Sequence, residues 1–188
     1  MVNYLKYKTW YTDINKKLKA LYGSDYKLVA GLLASTSPRY SIKRNLNTTL
    51  KIYYDFKENK ILFLLNAIFN KNNFLKEYKI LNCHYYNIIR SLIHNYKYDL
   101  ILSGQKVHAF YNNLIGNLDY VTIDTWILLF FRHKKAWINK SEYIKYSKYI
   151  TSLAKKENLY PAELQAMIWI KTRLDHGFKP VTFTDFLK

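Results

Sequence analysis

Two side chains in the second half of the chain, Lys106 and Asp124, are of the types that perform nucleophilic catalysis together. A lysine amine in a desolvated pocket loses its proton more readily and becomes a nucleophile that can form a Schiff base. A neighbouring carboxylate stabilises a developing positive charge or activates the attacking group. Neither side chain does this alone, so the hypothesis is that the pair meets in one pocket.

Each residue also has a plainer interpretation. Lys106 could be a solvated helix residue or a contact to a phosphate group. Asp124 stands immediately before the apolar run Trp126–Phe131, where an N-cap residue is expected. An N-cap aspartate contributes about 1 kcal/mol to stability without any catalytic role. Both interpretations stay open at this point.

The local pattern predicts the elements that would position the pair. Gly104 marks a turn, and the apolar spacing that follows predicts a helix over 105–114, closed by Gly116. Lys106 then lies in the first turn of this helix. The β-branched run 121–123 predicts an extended segment leading into Asp124, which would cap the next helix.

The rest of the chain also favours helices. It has only three prolines and five glycines, so few residues would break a helix. Gly23 to Asp25 separates the first two predicted helices, with Ser24 or Asp25 as a candidate cap, and the second ends near Pro38. Further helices are predicted over 41–56, 61–69, 75–80, 83–96 and 143–154, and from Pro161 onward. The sum is eight to ten short helices with little or no sheet, an all-α protein.

The charge of the chain favours a polyanionic partner. Lys and Arg number 30 against 13 acidic residues, for a formal net charge of +17. Such an excess attracts nucleic acid, because each neutralised phosphate releases counterions. An acidic membrane surface, or a basic coat that is merely solvated, is the alternative.

Other compositional features exclude several classes of protein. Cys83 is the only cysteine, so an intramolecular disulfide and a four-cysteine zinc site are both excluded. We interpret Cys83 as a small buried residue. The first ten residues lack the apolar core of a signal peptide, and the longest apolar stretches are too short to cross a bilayer. The expectation is a cytoplasmic, intracellular protein with no membrane association.

Two short segments together resemble a known superfamily. They read Leu102-Ser103-Gly104-Gln105-Lys106-Val107 and Val121-Thr122-Ile123-Asp124-Thr125-Trp126. A glycine turn, a lysine in the next helix, and an aspartate after an apolar run eighteen positions later resemble the core signature of the helix-hairpin-helix DNA glycosylases (HhH-GPD). The closest similarity is to short phage-encoded members. Leu32–Ser37 and Pro161–Ala166 resemble flanking segments of the same group.

The resemblance implies one domain over 1–188, with the hairpin at about 92–114 and the catalytic-aspartate segment at 121–131. It also implies two small helical lobes with a cleft between them. The hairpin here has one glycine where the superfamily usually has two, and it is shorter, which puts the cation often held there in doubt. No cysteine cluster follows, so the iron–sulfur cluster of some relatives is excluded. No cofactor and no metal are expected.

The implied reaction acts on a base flipped out of double-stranded DNA, which costs a few kcal/mol of unstacking. Lys106 would attack the sugar C1′, and Asp124 would stabilise the oxocarbenium-like sugar. The protein would act as a monomer, as a glycosylase with possible lyase activity. Residues expected to contact DNA are Ser35, Ser37, Arg39, Tyr40, Gly104, Gln105, His108, Arg132, Lys134 and Lys135. Their plain alternatives are a helix-ending turn for the first group and solvated loops for the last.

Three other functions remain open on the sequence. Some phage relatives are implicated in making or processing hypermodified thymines, so the chain could modify a pyrimidine without excising it. It could also bind DNA without catalysis. An unrelated basic helical module, such as an RNA-binding one, is the remaining alternative.

Overall fold

The structure is a computed structural model, and it describes residues 4–94, 102–135 and 137–187. The prediction of an all-α protein is confirmed, because these ranges contain helices and no strand. Their α-helices, numbered α1 to α10 here, are Trp10–Tyr22, Tyr26–Thr36, Ile42–Glu58, Lys60–Phe69, Lys71–Glu77, Asn82–Ile93, Gln105–Leu114, Thr125–Phe130, Lys140–Lys156 and Pro161–Asp175. Short 3₁₀ turns lie at Tyr4–Tyr7, Gly23–Asp25 and Phe183–Asp185.

Several helices begin at the residues that the sequence predicts. The Ser41 side chain accepts a hydrogen bond from the backbone N–H of Arg44 and caps α3. Pro161 occupies the first turn of α10, where its missing N–H costs nothing. Helix α7 begins and ends as predicted, at Gln105 and Leu114.

Other expectations are corrected. Neither Ser24 nor Asp25 caps α2 through its side chain. The Asp25 carboxylate instead accepts hydrogen bonds from the Tyr53 hydroxyl at 2.9 Å and the Lys57 ammonium at 2.7 Å. Cys83 is exposed, because α6 turns His84 and Ile88 rather than Cys83 toward the core.

Two helix boundaries also differ from those predicted. Helix α5 covers Lys71–Glu77, earlier than the predicted 75–80. The helix predicted over 83–96 is observed as Asn82–Ile93. Positions 95 and 96 of that prediction lie outside the described residues, as do positions 95–101 of the hairpin predicted at 92–114.

Helix α2 is the centre of the larger core. Every residue from Leu28 to Thr36 is buried, and α2 packs against α1, α3, α6 and α7. Such a helix is apolar all round because it has neighbours on all sides. The chain thus places α7, which carries Lys106, directly against its most buried helix.

The buried apolar residues form two clusters that meet at α10. The larger includes α1, α2, α3, α6 and α7, together with Phe183 and Leu187 near the carboxyl end. The smaller includes Ile127 and Leu128 of α8 and Ile150 of α9. Helix α10 contributes Ala162 and Ala166 to the larger cluster but Leu164 and Ile168 to the smaller one.

Across the described ranges, no helix combines the length and apolar character that crossing a bilayer requires.

Candidate active site

A cleft of about 400 Å³ lies where elements from both clusters approach each other. This volume falls within the range typical of small-molecule sites. Its walls come from α1, the turn before α3, the start of α3, α7, the segment 122–126, α10 and the carboxyl-terminal segment. The side chains that line it are Trp10, Tyr11, Ser37, Arg39, Tyr40, Ser41, Ile42, Lys43, Asn45, Lys106, Phe110, Thr122, Asp124, Thr125, Trp126, Gln165, Ala166, Trp169, Arg173, Val181, Phe183 and Phe186.

Lys106 enters this cleft from the first turn of α7. Gly104 precedes it with a φ of 92°, a left-handed conformation that glycine adopts without the strain of a side chain. Burial lowers the pKa of the Lys106 amine, and the Asp124 carboxylate opposes part of this effect. A larger fraction of neutral, nucleophilic amine is therefore present near neutral pH than for a solvated lysine.

Asp124 enters the same cleft and is held by three donors. Its Oδ1 accepts hydrogen bonds from the backbone N–H groups of Trp126 at 3.0 Å and Ile127 at 3.1 Å, so Asp124 is the N-cap of α8. Its Oδ2 accepts a hydrogen bond from the Trp169 indole N–H at 2.7 Å. The carboxylate is therefore fixed in position, and the predicted capping role and an electrostatic role are compatible.

Lys106 and Asp124 share the cleft without forming an ion pair. The ion pairs of the described residues join other side chains, at Lys51, Lys57 and Lys171. A direct pair would neutralise both groups and occupy the space between them. Neither group is therefore neutralised in an ion pair with the other.

Tyr143 of α9 links the backbones that carry the two groups. Its hydroxyl donates a hydrogen bond to the carbonyl of Val121 at 2.7 Å and lies 3.3 Å from that of Gln105. It also accepts a hydrogen bond from the N–H of Ile123 at 3.4 Å. One hydroxyl thus fastens the residue before Lys106 to the segment before Asp124, which makes Tyr143 a positioning residue.

Replacing Tyr143 with phenylalanine should lower the free energy of unfolding by about 1–3 kcal/mol, because buried carbonyl and N–H groups lose their partner. Urea denaturation followed by circular dichroism measures this. Tyr149→Phe, at an exposed position on the same helix, is the matched control and should change stability by less than about 0.5 kcal/mol. Equal effects of the two substitutions would show that the hydroxyl of Tyr143 does not link the segments.

Two side-chain hydrogen bonds join the elements that line the cleft. The Tyr11 hydroxyl donates to Gln165 Oε1 at 2.8 Å, which joins α1 to α10. The Asn113 amide donates to the Thr122 hydroxyl at 3.2 Å and joins α7 to the segment before Asp124. Burial raises the pKa of Tyr11 well above its usual range, so its hydroxyl stays protonated.

The charges on the cleft wall are predominantly positive. Four cationic side chains, Arg39, Lys43, Lys106 and Arg173, face one acidic side chain, Asp124. The Arg173 guanidinium lies over the rings of Trp169, Trp126 and Phe178, at 4.7, 5.0 and 5.3 Å from their centroids. This wall favours an anionic or electron-rich ligand.

Three of the predicted DNA contacts lie at the cleft. Ser37, Arg39 and Tyr40 line it from the turn before α3. Arg39 is exposed and has a φ of 62°. The Arg44 guanidinium lies over the Tyr40 ring, 4.0 Å from the ring centroid. This contact fixes the turn against α3.

Ser35 does not fit its predicted role. It is 1% exposed, and its hydroxyl donates a hydrogen bond to the carbonyl of Gly31 at 2.7 Å. The reason is that α2 continues to Thr36, so Ser35 still lies on a buried helix rather than in the turn. A DNA contact by this residue would require it to leave the core.

The remaining predicted DNA contacts lie outside the cleft. Gly104 and Gln105 are exposed at the start of α7, and His108 packs edge-on against Tyr120 with 5.3 Å between ring centroids. All three line a second, shallower groove beside Tyr143. Exposed side chains also follow α8, at Arg132, Lys134 and Lys135. Their roles as DNA contacts stay predictions.

Sequence reasoning missed or misread several residues of the cleft. Trp169 packs against the smaller apolar cluster, and its indole also holds the Asp124 carboxylate. Gln165, Trp169 and Arg173 are spaced four apart, so they share one face of α10. That spacing is the signal that could have assigned Arg173 to the cleft. Tyr11 and Tyr143 carry no comparable signal among the nineteen tyrosines of the chain.

The comparison with protein families assigns most of the chain to a family. Residues 4–176 match the model of DUF7178, a family of unknown function. The chain belongs to DUF7178. The matched range contains Lys106, Asp124, Tyr143 and Arg173, so the cleft residues on α7, α8 and α10 lie within the family region, whereas Val181, Phe183 and Phe186 follow it. Curated proteins and solved structures give no match.

The described residues contain no group of three or more His, Cys, Asp or Glu side chains that could hold a metal ion.

Proposed function

We propose that this protein of DUF7178 is a DNA glycosylase-like enzyme, which binds DNA, flips a damaged or modified base into the cleft and cleaves its N-glycosidic bond. The observation that carries the proposal is the shared cleft of Lys106 and Asp124, with the pKa of Lys106 lowered by burial. A lysine with a lowered pKa beside a fixed carboxylate in a concave site is a candidate nucleophile.

The proposed reaction begins with the neutral Lys106 amine. Its lone pair forms a bond to C1′ of the sugar as the N-glycosidic bond breaks, and the base leaves with that electron pair and takes up a proton. The attached nitrogen loses a proton to water. Its lone pair then forms the C=N bond of a Schiff base as the C1′–O4′ bond breaks, and O4′ takes up a proton. Water hydrolyses the Schiff base and restores Lys106.

Asp124 stabilises the positive charge that develops on the sugar in the first step. Its carboxylate is held by two backbone N–H groups and the Trp169 indole, so it needs no reorganisation when that charge appears. The half-buried setting strengthens the interaction, because fewer water molecules screen it.

Two other features support DNA as the partner. The net charge of +17 favours binding to the phosphate backbone, and Arg39 and Lys43 lie on the cleft wall, where a flipped nucleotide would enter.

Borohydride trapping tests the proposal. The protein is incubated with duplexes that each carry one damaged or modified base, and sodium borohydride reduces any Schiff base to a stable protein–DNA adduct. Mass spectrometry of the released bases and remaining nucleosides is run in parallel. The proposal expects an adduct and a free base with at least one duplex. Folded protein that gives neither across a full substrate set would overturn it.

The same measurements separate the alternatives. An enzyme that modifies a pyrimidine without excision would change the nucleoside mass and release no base. A DNA-binding protein without catalysis would bind in a salt-dependent manner and change nothing. The capping role of Asp124 is the observation that favours this last alternative, because it explains the position of the carboxylate without any reaction.

A further inference from the structure

Arg173 has a setting that the proposed reaction does not use. We propose that its guanidinium binds an anionic group on the flipped base, such as a ring carboxylate, so that the cleft selects bases with a negatively charged substituent. This inference rests on the proposed function, because it assumes that a base enters the cleft.

Three aromatic rings surround the Arg173 guanidinium. The rings of Trp126, Trp169 and Phe178 lie 4.7–5.3 Å from it. Cation–π contacts stabilise the charge of a guanidinium, but they supply no oxygen acceptor for its N–H groups. These rings therefore leave the donors of Arg173 available to an oxyanion.

The donors of Arg173 have no acceptor within the described residues. Its Nε is buried without a hydrogen-bond partner, and no hydrogen bond or ion pair joins its side chain to the parts of the chain that the structure describes. Leaving a buried charged donor unsatisfied costs stability. By contrast, Arg44 donates to the carbonyl of Lys79 at 3.0 Å, and Lys57 pairs with Asp25 at 2.7 Å. An unpaired arginine on a cleft wall is a binding group for a planar oxyanion.

The nearby Asp124 carboxylate does not exclude an anion. Three donors already hydrogen-bond to it, and three cationic side chains, Arg39, Lys43 and Arg173, line the same cleft even when Lys106 is neutral. The electrostatic balance therefore stays positive after Asp124 is counted.

The position of Arg173 favours a group on the base over a backbone phosphate. A backbone phosphate needs only exposed cations, which Arg39 and Lys43 provide. Arg173 is half-buried among aromatic rings on the wall shared with Trp169, which holds Asp124. A substituent on a base that enters the cleft would meet Arg173 there, beside the residue that holds Asp124.

The test compares the binding of duplexes that differ in one central base, by fluorescence anisotropy at fixed salt. The bases are 5-carboxycytosine and 5-carboxyuracil, with 5-hydroxymethylcytosine and 5-hydroxymethyluracil as neutral counterparts. We expect the intact protein to bind at least one carboxylated duplex roughly tenfold to a hundredfold more tightly than its counterpart, the usual size of a charge-assisted contact. Equal affinities for both pairs would overturn the inference.

Variants assign the preference to Arg173. Arg173→Gln should reduce the ratio of the two affinities to about one, whatever its effect on the affinity for the neutral duplex. Lys156→Gln, which removes one positive charge from the exposed end of α9, should keep the preference in full. Arg173→Lys should keep only part of it, because a lysine lacks the forked donor geometry. Loss of the preference in Lys156→Gln as well would show a general charge effect and overturn the inference.

A further arm tests the backbone phosphate as the source of the anion. A duplex with a neutral methylphosphonate on the 5′ side of the target base should retain the carboxylate preference. If Arg173→Gln instead loses affinity for neutral bases only when that phosphate is charged, Arg173 binds the backbone and the inference fails. A carboxylate preference without any borohydride adduct would support the anion site and count against the glycosylase reaction, so the two failures are distinguishable.

Discussion

Replacing Lys106 with methionine is expected to abolish the borohydride-trapped adduct completely, because no other residue of the cleft supplies a desolvated amine. Methionine keeps an unbranched side chain of similar length, so the packing around α7 is preserved. The matched control is Lys43→Met, which removes the same charge from an exposed position of the same cleft and should leave the adduct intact. Gel electrophoresis of protein and labelled DNA after reduction measures both.

DNA binding and stability of Lys106→Met are measured as well, because loss of binding or unfolding would also remove the adduct. Binding of unmodified DNA should fall by less than about tenfold in both variants, since each loses at most one positive charge near the DNA. Lys106→Met should raise the free energy of unfolding at neutral pH by about 1 kcal/mol, because it removes a charged group from a desolvating site. An adduct that forms equally well without Lys106 would contradict its assignment as the nucleophile.

The pH dependence supplies an independent measurement of the same residue. Burial places the pKa of Lys106 below its ordinary value of 10.5, so adduct formation should rise with pH and level off before that value. The sign of the stability effect follows from the same shift. Between the lowered pKa and 10.5 the unfolded chain binds more protons than the folded one, so the contribution of Lys106 to stability improves as the pH rises. Lys106→Met should remove this dependence.

The parts of the site that the sequence predicts are those set by local patterns. Gly104 and Gly116 bracket α7 because each lies in a left-handed conformation, with φ of 92° and 99°, that a side chain would strain. Asp124 caps α8 because a short carboxylate before an apolar helix reaches the first free N–H groups. These effects act over a few residues, and a single sequence carries them.

The contacts that join distant segments are the ones that sequence analysis missed. Tyr11 bonds to Gln165, and Tyr143 bonds to the carbonyls of Val121 and Gln105. Which of the nineteen tyrosines meets which acceptor depends on how the helices pack, and no local pattern encodes it. Ser35 shows the opposite error: a polar residue near a proline looks exposed, but α2 is surrounded by helices and buries it.

Replacing Asp124 with asparagine is expected to lower the rate of base release or adduct formation by about 10²–10⁴-fold, because the developing positive charge loses its carboxylate. Asparagine is as good an N-cap as aspartate, so this substitution tests the charge with the least disturbance to α8. Single-turnover kinetics at saturating protein measures the rate without a contribution from binding.

The structural cost of the same substitution is separable from its catalytic cost. A carboxylate accepts hydrogen bonds at both oxygens, whereas an amide offers one oxygen and one N–H₂ group. The substituted side chain would therefore lose either the cap or the bond from Trp169, and we expect Asp124→Asn to lower the free energy of unfolding by about 1–3 kcal/mol.

A double-mutant cycle with Trp169→Phe resolves the two contributions. Phenylalanine has no indole N–H, so the destabilisation caused by Asp124→Asn should be smaller in the Trp169→Phe background. The fall in rate should stay the same in both backgrounds, because it depends on the charge of residue 124 and not on its partner. If the rate instead recovers together with the stability, Asp124 acts only as a cap and a partner for Trp169, and the enzymatic proposal fails at its carboxylate.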